Sequence, residues 1–300
     1  MGKKAIKARR LINNNDVFAD IVNLAFALKL GAGNFTRVKP EDLEDAKVWS
    51  DYEGPDGMRE QYRDVAKFWK AAGVIICLLG IENQTGIDPD MPLRVFGYEG
   101  GEYHWQLTQE GMELFPVLTI VLYFGTKRRW RKNKTLFERL NVPEELRPLL
   151  NDCRLNVIEL AWLTEEEAAL CTSDIKIVID YLRQVRLNKD YVPSAELLEH
   201  VHETMDLLSE LTRDRRFLEV TSEFKEGEPV TMVDVLGRIE ARGKESGIAI
   251  GEKRGEKRGE KRGRLAVAWR MKAEGLSDEY ISRLTGVSIK EIESLEEAKN

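Results

Sequence analysis

Between residues 16 and 30 the apolar side chains Phe18, Ile21, Val22, Ala25 and Phe26 recur at helical spacing, with Asn15 or Asp16 as the cap and Gly31 as the stop. That pattern predicts a first helix. A charged, irregular stretch containing Val48 and Trp49 follows, and then two extended runs, residues 64–70 and 74–84, joined by Ala71, Ala72 and Gly73. A three-residue connection ending in glycine suits a hairpin, because glycine accepts the left-handed position. Residues 91–109 read as a helix despite Gly97, Gly100 and Gly101, and the β-branched run at 117–124 reads as a strand. The expected order is α-β-β-β-α-β around a mixed central sheet, an α/β core with its first strand in the irregular stretch.

Downstream, residues 156–160 suit one more edge strand. Helix openings follow at Thr164, at Ser173-Asp174, at Ser194 and at Thr231. From Gly243 to Gly263 a glycine stands at every fourth position, and GEKR repeats three times from Gly251. Each glycine inside a helix costs about 1 kcal/mol against alanine, and the repeat sets like charges at i,i+4, so this segment is either a linker or a weak helix with a glycine stripe for close helix approach. Beyond it, Gly275, Ser277, Gly286 and Ser288 punctuate a small helix-turn-helix-like module in which Ile281, Leu284, Val287, Ile289 and Ile292 are the expected core. Its last helix is rich in glutamate, which favours a helical cap over a groove reader. The expected divisions are 1–160 for the core, 161–242 for a helical extension, 243–264 for the repeat and 265–300 for the module.

Composition narrows the class. The 300 residues are 42% hydrophobic and 33% charged with a formal net charge of −6, which excludes a disordered chain. Apolar runs fall short of the roughly 20 residues of a membrane span, and Lys3, Lys4, Lys7, Arg9 and Arg10 precede no apolar export region. Cys77, Cys153 and Cys171 lie far apart with no metal or disulfide spacing, so a reducing cytoplasm is the expected location. The net charge conceals one basic cluster. Lys127, Arg128, Arg129, Arg131, Lys132 and Lys134 surround Trp130 without an intervening acid, a track suited to a polyanion such as DNA, or else a solvated loop.

The chemistry follows from strand parity. In the 74–84 run, Leu78, Gly80, Glu82 and Gln84 share one face, and Cys77, Leu79, Ile81 and Asn83 the other. Both faces are apolar until the end, so the strand is interior and an ionised Glu82 at its rim needs a partner. If the three-residue loop pairs Lys70 with Val74, Asp64 stands opposite Gly80 and diagonal to Glu82, about 7–8 Å away between Cα atoms. Two carboxylates on one face can hold one divalent cation through hard oxygen ligands. The competing arrangement is a structural ion pair of Glu82 with Arg94, with Asp64 merely ending a strand.

The segments FADIVNLAF (18–26), RDVAK (63–67), LLGIENQT (78–85), MPLRVFGYE (91–99) and PVLTIVLYFGT (116–126), in that order, resemble the recombination-promoting nuclease (Rpn) and putative transposase family of the PD-(D/E)XK nuclease superfamily. The resemblance covers about residues 13–160. It implies a PD-(D/E)XK nuclease-like core, magnesium or another divalent cation as cofactor, DNA as substrate, and endonucleolytic phosphodiester hydrolysis. It assigns catalytic roles to Asp64, Glu82 and Gln84, with Gln84 in the place of the superfamily's lysine, and Asp64 and Glu82 as metal ligands. Asp20, within the first matching segment, is the candidate third ligand; a structural role is its alternative. Lys67 falls on the opposite face from Asp64 and does not replace the missing lysine. Arg94 and Tyr98 are candidates for phosphate contact. A DNA-binding or oligomeric scaffold protein with weak catalysis is the alternative, and a homo-oligomer is expected.

Other schemes lack support. His200 and His202 diverge at i,i+2, and phosphate-cradling glycine loops and a nucleophile-elbow serine are missing from the sequence.

Overall fold

The computed structural model describes residues 3–46, 51–54, 57–60, 64–225 and 228–297; Val48, Trp49 and Arg63 lie outside the described residues. The chain divides into two compact units, Met1–Leu236 and Gly237–Asn300.

The first unit opens with α1 (Lys3–Ile12) and α2 (Asn15–Leu30). Helix α1 was not foreseen. Its Ala8, Leu11 and Ile12 follow the spacing of a buried helical face and are within 3% of complete burial. Helix α2 is buried on nearly every side from Val17 to Ala25 and stops at Gly31, whose φ of 87° is a conformation glycine adopts without strain. Strand β1 (Leu43–Asp45), the separate hairpin β2 (Asp51–Gly54) and β3 (Gly57–Glu60), and strands β4 (Val65–Ala71) and β5 (Val74–Gln84) follow. Helix α3 (Met91–Thr108) then crosses over to β6 (Val117–Tyr123), and β7 (Asn156–Glu159) adds an edge. The main sheet runs β1-β4-β5-β6-β7, antiparallel from β1 to β5 and parallel from β5 to β7. With α2, β1, β4, β5, α3 and β6 in that order, the α/β nuclease-like core has the expected succession, and the helical extension follows.

The β4–β5 register differs from expectation in two compensating ways. The turn holds two residues, Ala72 and Gly73, with φ of 49° and 82°, so Ala71 rather than Lys70 pairs with Val74. Left-handed values at both central positions match the twist of a tight hairpin. A bulge between Trp69 and Lys70 then shifts the pairing by one more residue, giving Ala66↔Gly80 and Val65↔Ile81. One single-residue slip would have exchanged the two faces of the strand; two preserve them.

The β5 face carrying Cys77, Leu79 and Ile81 belongs to the principal core with Ala8, Leu11 and Ile12 of α1 and Phe18, Ile21 and Val22 of α2. That same core continues into Ile175, Val178, Ile179 and Leu182 of α6 (Ile175–Arg186), reached after the short helices α4 (Leu136–Leu140) and α5 (Glu165–Ala168). Leu207 of α7 (Val201–Thr212) also joins it, and α8 (Arg216–Thr221) packs on α7. The helical extension is therefore packed into the core of the sheet. Helix α3 covers the other face, where Met91 and Val95 meet Val121, Tyr123 and Trp130.

Helix α9 (Met232–Ala273) takes up the whole glycine repeat. The second unit continues with α10 (Asp278–Thr285) and α11 (Ile289–Glu297). Its core is Ala268, Ile281, Val287 and Ile292, while Leu284 and Ile289, expected inside, are exposed. Ser277 caps α10 and Gly286 ends it in the left-handed region at φ 69°. Among the described residues no helix is long and apolar enough to cross a membrane.

Candidate active site

Strand β5 runs into the centre of the sheet, so Glu82 near its end is only 2% exposed. Continuing the Val65↔Ile81 pairing by one step brings Asp64, 4% exposed, abreast of Glu82, closer than the diagonal placement read from the sequence. Two hydrogen bonds fix this arrangement. The backbone amide of Asp64 donates to Glu82 Oε2 at 3.3 Å, and the amide of Asn83 donates to Asp64 Oδ2 at 2.8 Å. Each carboxylate is thus oriented by the opposite strand.

Helix α3 supplies the counter-charge. Arg94, in its second turn, donates to Glu82 Oε1, to Asp88 Oδ2 at 2.9 Å and to the Tyr98 hydroxyl oxygen at 3.0 Å. The competing ion pair of Glu82 with Arg94 is therefore present, and it coexists with the acid pair. Burial pushes the Asp64 carboxyl above its ordinary pKa, opposed by the Asn83 amide and by the charges of Arg94 and Arg9. Burial works against the Arg94 charge, yet the neighbouring Glu82 carboxylate raises its pKa and keeps it cationic. Burial and then Glu82 also raise the Tyr98 phenol.

Gln84 ends β5 two residues beyond Glu82, on the same face and half-buried; its carbonyl accepts from the Phe124 amide at 2.8 Å. Asp20 is elsewhere. Its carboxylate Oδ2 accepts the amides of Thr172 and Ser173, each at 2.6 Å, and its side chain is buried rather than on a helix surface. Among the described residues no three histidine, cysteine or acidic side chains gather as a metal cluster, so Asp20 does not complete one with Asp64 and Glu82. The sequence could not show this, because the amides that engage Asp20 come from a segment some 150 residues later. Lys67 lies on the other face, as parity requires, ion-paired with Asp45 and 5.8 Å from the centre of the Phe18 ring.

The basic segment leaves the sheet at the end of β6, the same end at which β5 delivers Glu82 and Gln84, since Gln84 pairs with Tyr123. Trp130 is fully buried against Tyr123, with ring centres 5.5 Å apart, and anchors the loop. Glu159 at the end of β7 accepts the Trp130 amide at 2.7 Å and lies 3.4 Å from Arg129 and 4.0 Å from Lys134. Lys127, Arg128, Arg131 and Lys132 are exposed and make no salt bridge among the described residues. Gly125 is required by close approach. A Cβ there would come within 2.1 Å of the Tyr123 ring and hydroxyl.

Two neighbours of the pair escaped the sequence reading. Asn83 was read only as a residue of the opposite face, and Arg9 only as one of several N-terminal basic residues. The apolar spacing of Ala8, Leu11 and Ile12 was the available sign that Arg9 sits on a helix packed against the core.

Two buried carboxylates whose oxygens face one another form a hard donor set, and the raised Asp64 pKa marks negative charge that nearby cations only partly offset. Magnesium commonly takes one or two carboxylates and fills its remaining positions with water or phosphate oxygen, so these residues fit a divalent ion.

No curated protein and no solved structure gives a significant match to the chain. Residues 56–216 match the family model described as "Putative transposase, YhgA-like", a span holding Asp64, Glu82, Gln84, Arg94 and the basic segment. With more than half of its length matched, the chain belongs to the YhgA-like putative transposase family.

Proposed function

We propose that this protein is a metal-dependent endonuclease acting on DNA. The observation that carries the reading is the joining of Asp64 and Glu82 at the sheet end from which the basic loop also leaves. Asp64 and Glu82 would hold magnesium or another divalent cation. When bound, the ion supplies Lewis acidity to a water nucleophile and to the scissile phosphate. The Asn83 amide keeps Asp64 aimed at the site, and the Asp64 amide does the same for Glu82. Gln84, on the face of Glu82, can orient a water through its amide but brings no charge. Arg94 holds Glu82 in place and releases an oxygen to an incoming cation while keeping Asp88 and Tyr98 as partners. Lys127, Arg128, Arg131 and Lys132 would follow the DNA backbone, since phosphate neutralisation drives sequence-independent binding.

A second reading, a DNA-binding protein with little turnover, is favoured by the uncharged Gln84 and by the hold of Arg94 on Glu82. Plasmid nicking with magnesium separates the two. The proposal predicts nicking by the wild type and loss of about two orders of magnitude or more in Glu82→Ala and Asp64→Ala, the scale of removing a group that stabilises transition-state charge. Equal nicking by all three proteins would reject it, and DNA binding without nicking by the wild type would support the second reading.

A further inference from the structure

The acid pair is flanked by guanidinium groups of unequal standing. Arg94 is engaged by Glu82, Asp88 and Tyr98. Arg9 on α1 is exposed and makes no salt bridge among the described residues, although its neighbours Lys7 and Arg10 both pair with Asp206. Helix α1 packs on β5 through the face that buries Ala8, Leu11 and Ile12. Asn83 points to that same side of the sheet. Its side chain is 6% exposed, yet neither Oδ1 nor Nδ2 has a hydrogen-bond partner among the described residues. Leaving a buried amide unsatisfied is costly, and such groups are usually completed by a ligand or an ordered water. An unpaired cation and an unsatisfied amide therefore border the same carboxylate, Asp64, and the charge of Arg9 reaches it.

We infer that Arg9 and Asn83 form a phosphate-binding flank of the site, supplied by the α1 side, in which Arg9 contacts a non-bridging oxygen of a nucleic-acid backbone phosphate and Asn83 offers it an N–H. This rests on the endonuclease reading for its catalytic consequence only; phosphate contact stands without it. Arg9 would bring to the site the positive charge that Gln84 does not carry. Helix α1 precedes the residues matched by the family model, so the family match itself assigns it nothing. A guanidinium suits the task because its planar fork stays charged and meets phosphate oxygens in pairs.

Fluorescence anisotropy of a short DNA duplex with calcium, measured over a range of salt concentrations, tests the contact directly. Arg9→Ala should lower the slope of log affinity against log salt by about one, with Arg9→Lys retaining most of it. Arg10→Ala, whose side chain is occupied by Asp206, should leave the slope unchanged. In magnesium, Arg9→Ala should also nick plasmid about 10- to 100-fold more slowly. An Arg9→Ala protein with the slope and rate of Arg10→Ala would overturn the inference while leaving the nuclease reading standing. A reduced slope with no nicking by the wild type would uphold the phosphate contact and remove only its catalytic consequence. Failure of the wild type to bind DNA would overturn both.

Discussion

Asp64 and Glu82 are tied to each other through the main chain: the Asp64 amide donates to Glu82 Oε2 at 3.3 Å, while Asp64 Oδ2 takes the amide that follows Glu82. Neither carboxylate can turn away without losing a buried hydrogen bond. The pair is therefore organised before any ion arrives, which reduces the ordering cost of binding one.

Arg94 is the internal cation that this pair uses in the absence of metal. Substitution Arg94→Met leaves Glu82, 2% exposed, without its nearest positive partner. A loss of about 1–3 kcal/mol in urea unfolding is expected, below the full cost of an uncompensated buried charge because Arg94 itself is partly exposed to solvent. Magnesium should recover more melting temperature in this variant than in the wild type, since an ion bound only to the folded state stabilises it by mass action. Equal magnesium responses would show that Arg94 and the cation do not share Glu82.

Asp20 serves as a brace between α2 and the segment leading into α6. Asp20→Ala abandons two buried amides, those of Thr172 and Ser173, and should cost about 2–4 kcal/mol by chemical denaturation. Divalent-ion affinity measured on the folded fraction should not change. Loss of that affinity with stability intact would return Asp20 to the site.

Gly125 keeps the basic loop in position by letting the Tyr123 ring lie over it. Gly125→Ala forces the ring aside, breaks the 2.9 Å hydrogen bond from the Tyr123 hydroxyl to the Arg128 carbonyl and disturbs the packing of Trp130. Overpacking of this kind costs about 1–3 kcal/mol, and duplex affinity should fall with it. Unchanged anisotropy titrations would remove this loop from the DNA-binding surface.

Strand β5 was legible in full, because an apolar run with a polar end has few alternatives in a sheet, and its parity placed Glu82 and Lys67 on opposite faces before any coordinates. The approach of Asp64 to Glu82 was legible in direction only. Its register depended on a tight Ala72-Gly73 turn and on a bulge at Trp69, local backbone choices that leave little trace in composition. The role of Asp20 was hidden because its partners are distant in sequence and are backbone groups, which carry no residue signature. The repeat within α9 shows the limit of propensity: its glycines predict a weak helix at best, and the segment is continuous helix.

The most direct test of the acid pair is calorimetric titration of the full-length protein with manganese, a spectroscopically convenient stand-in for magnesium. The account predicts a divalent site in the wild type that weakens at least tenfold in both Asp64→Asn and Glu82→Gln, each retaining its fold by circular dichroism. Manganese affinity that survives both substitutions would contradict it.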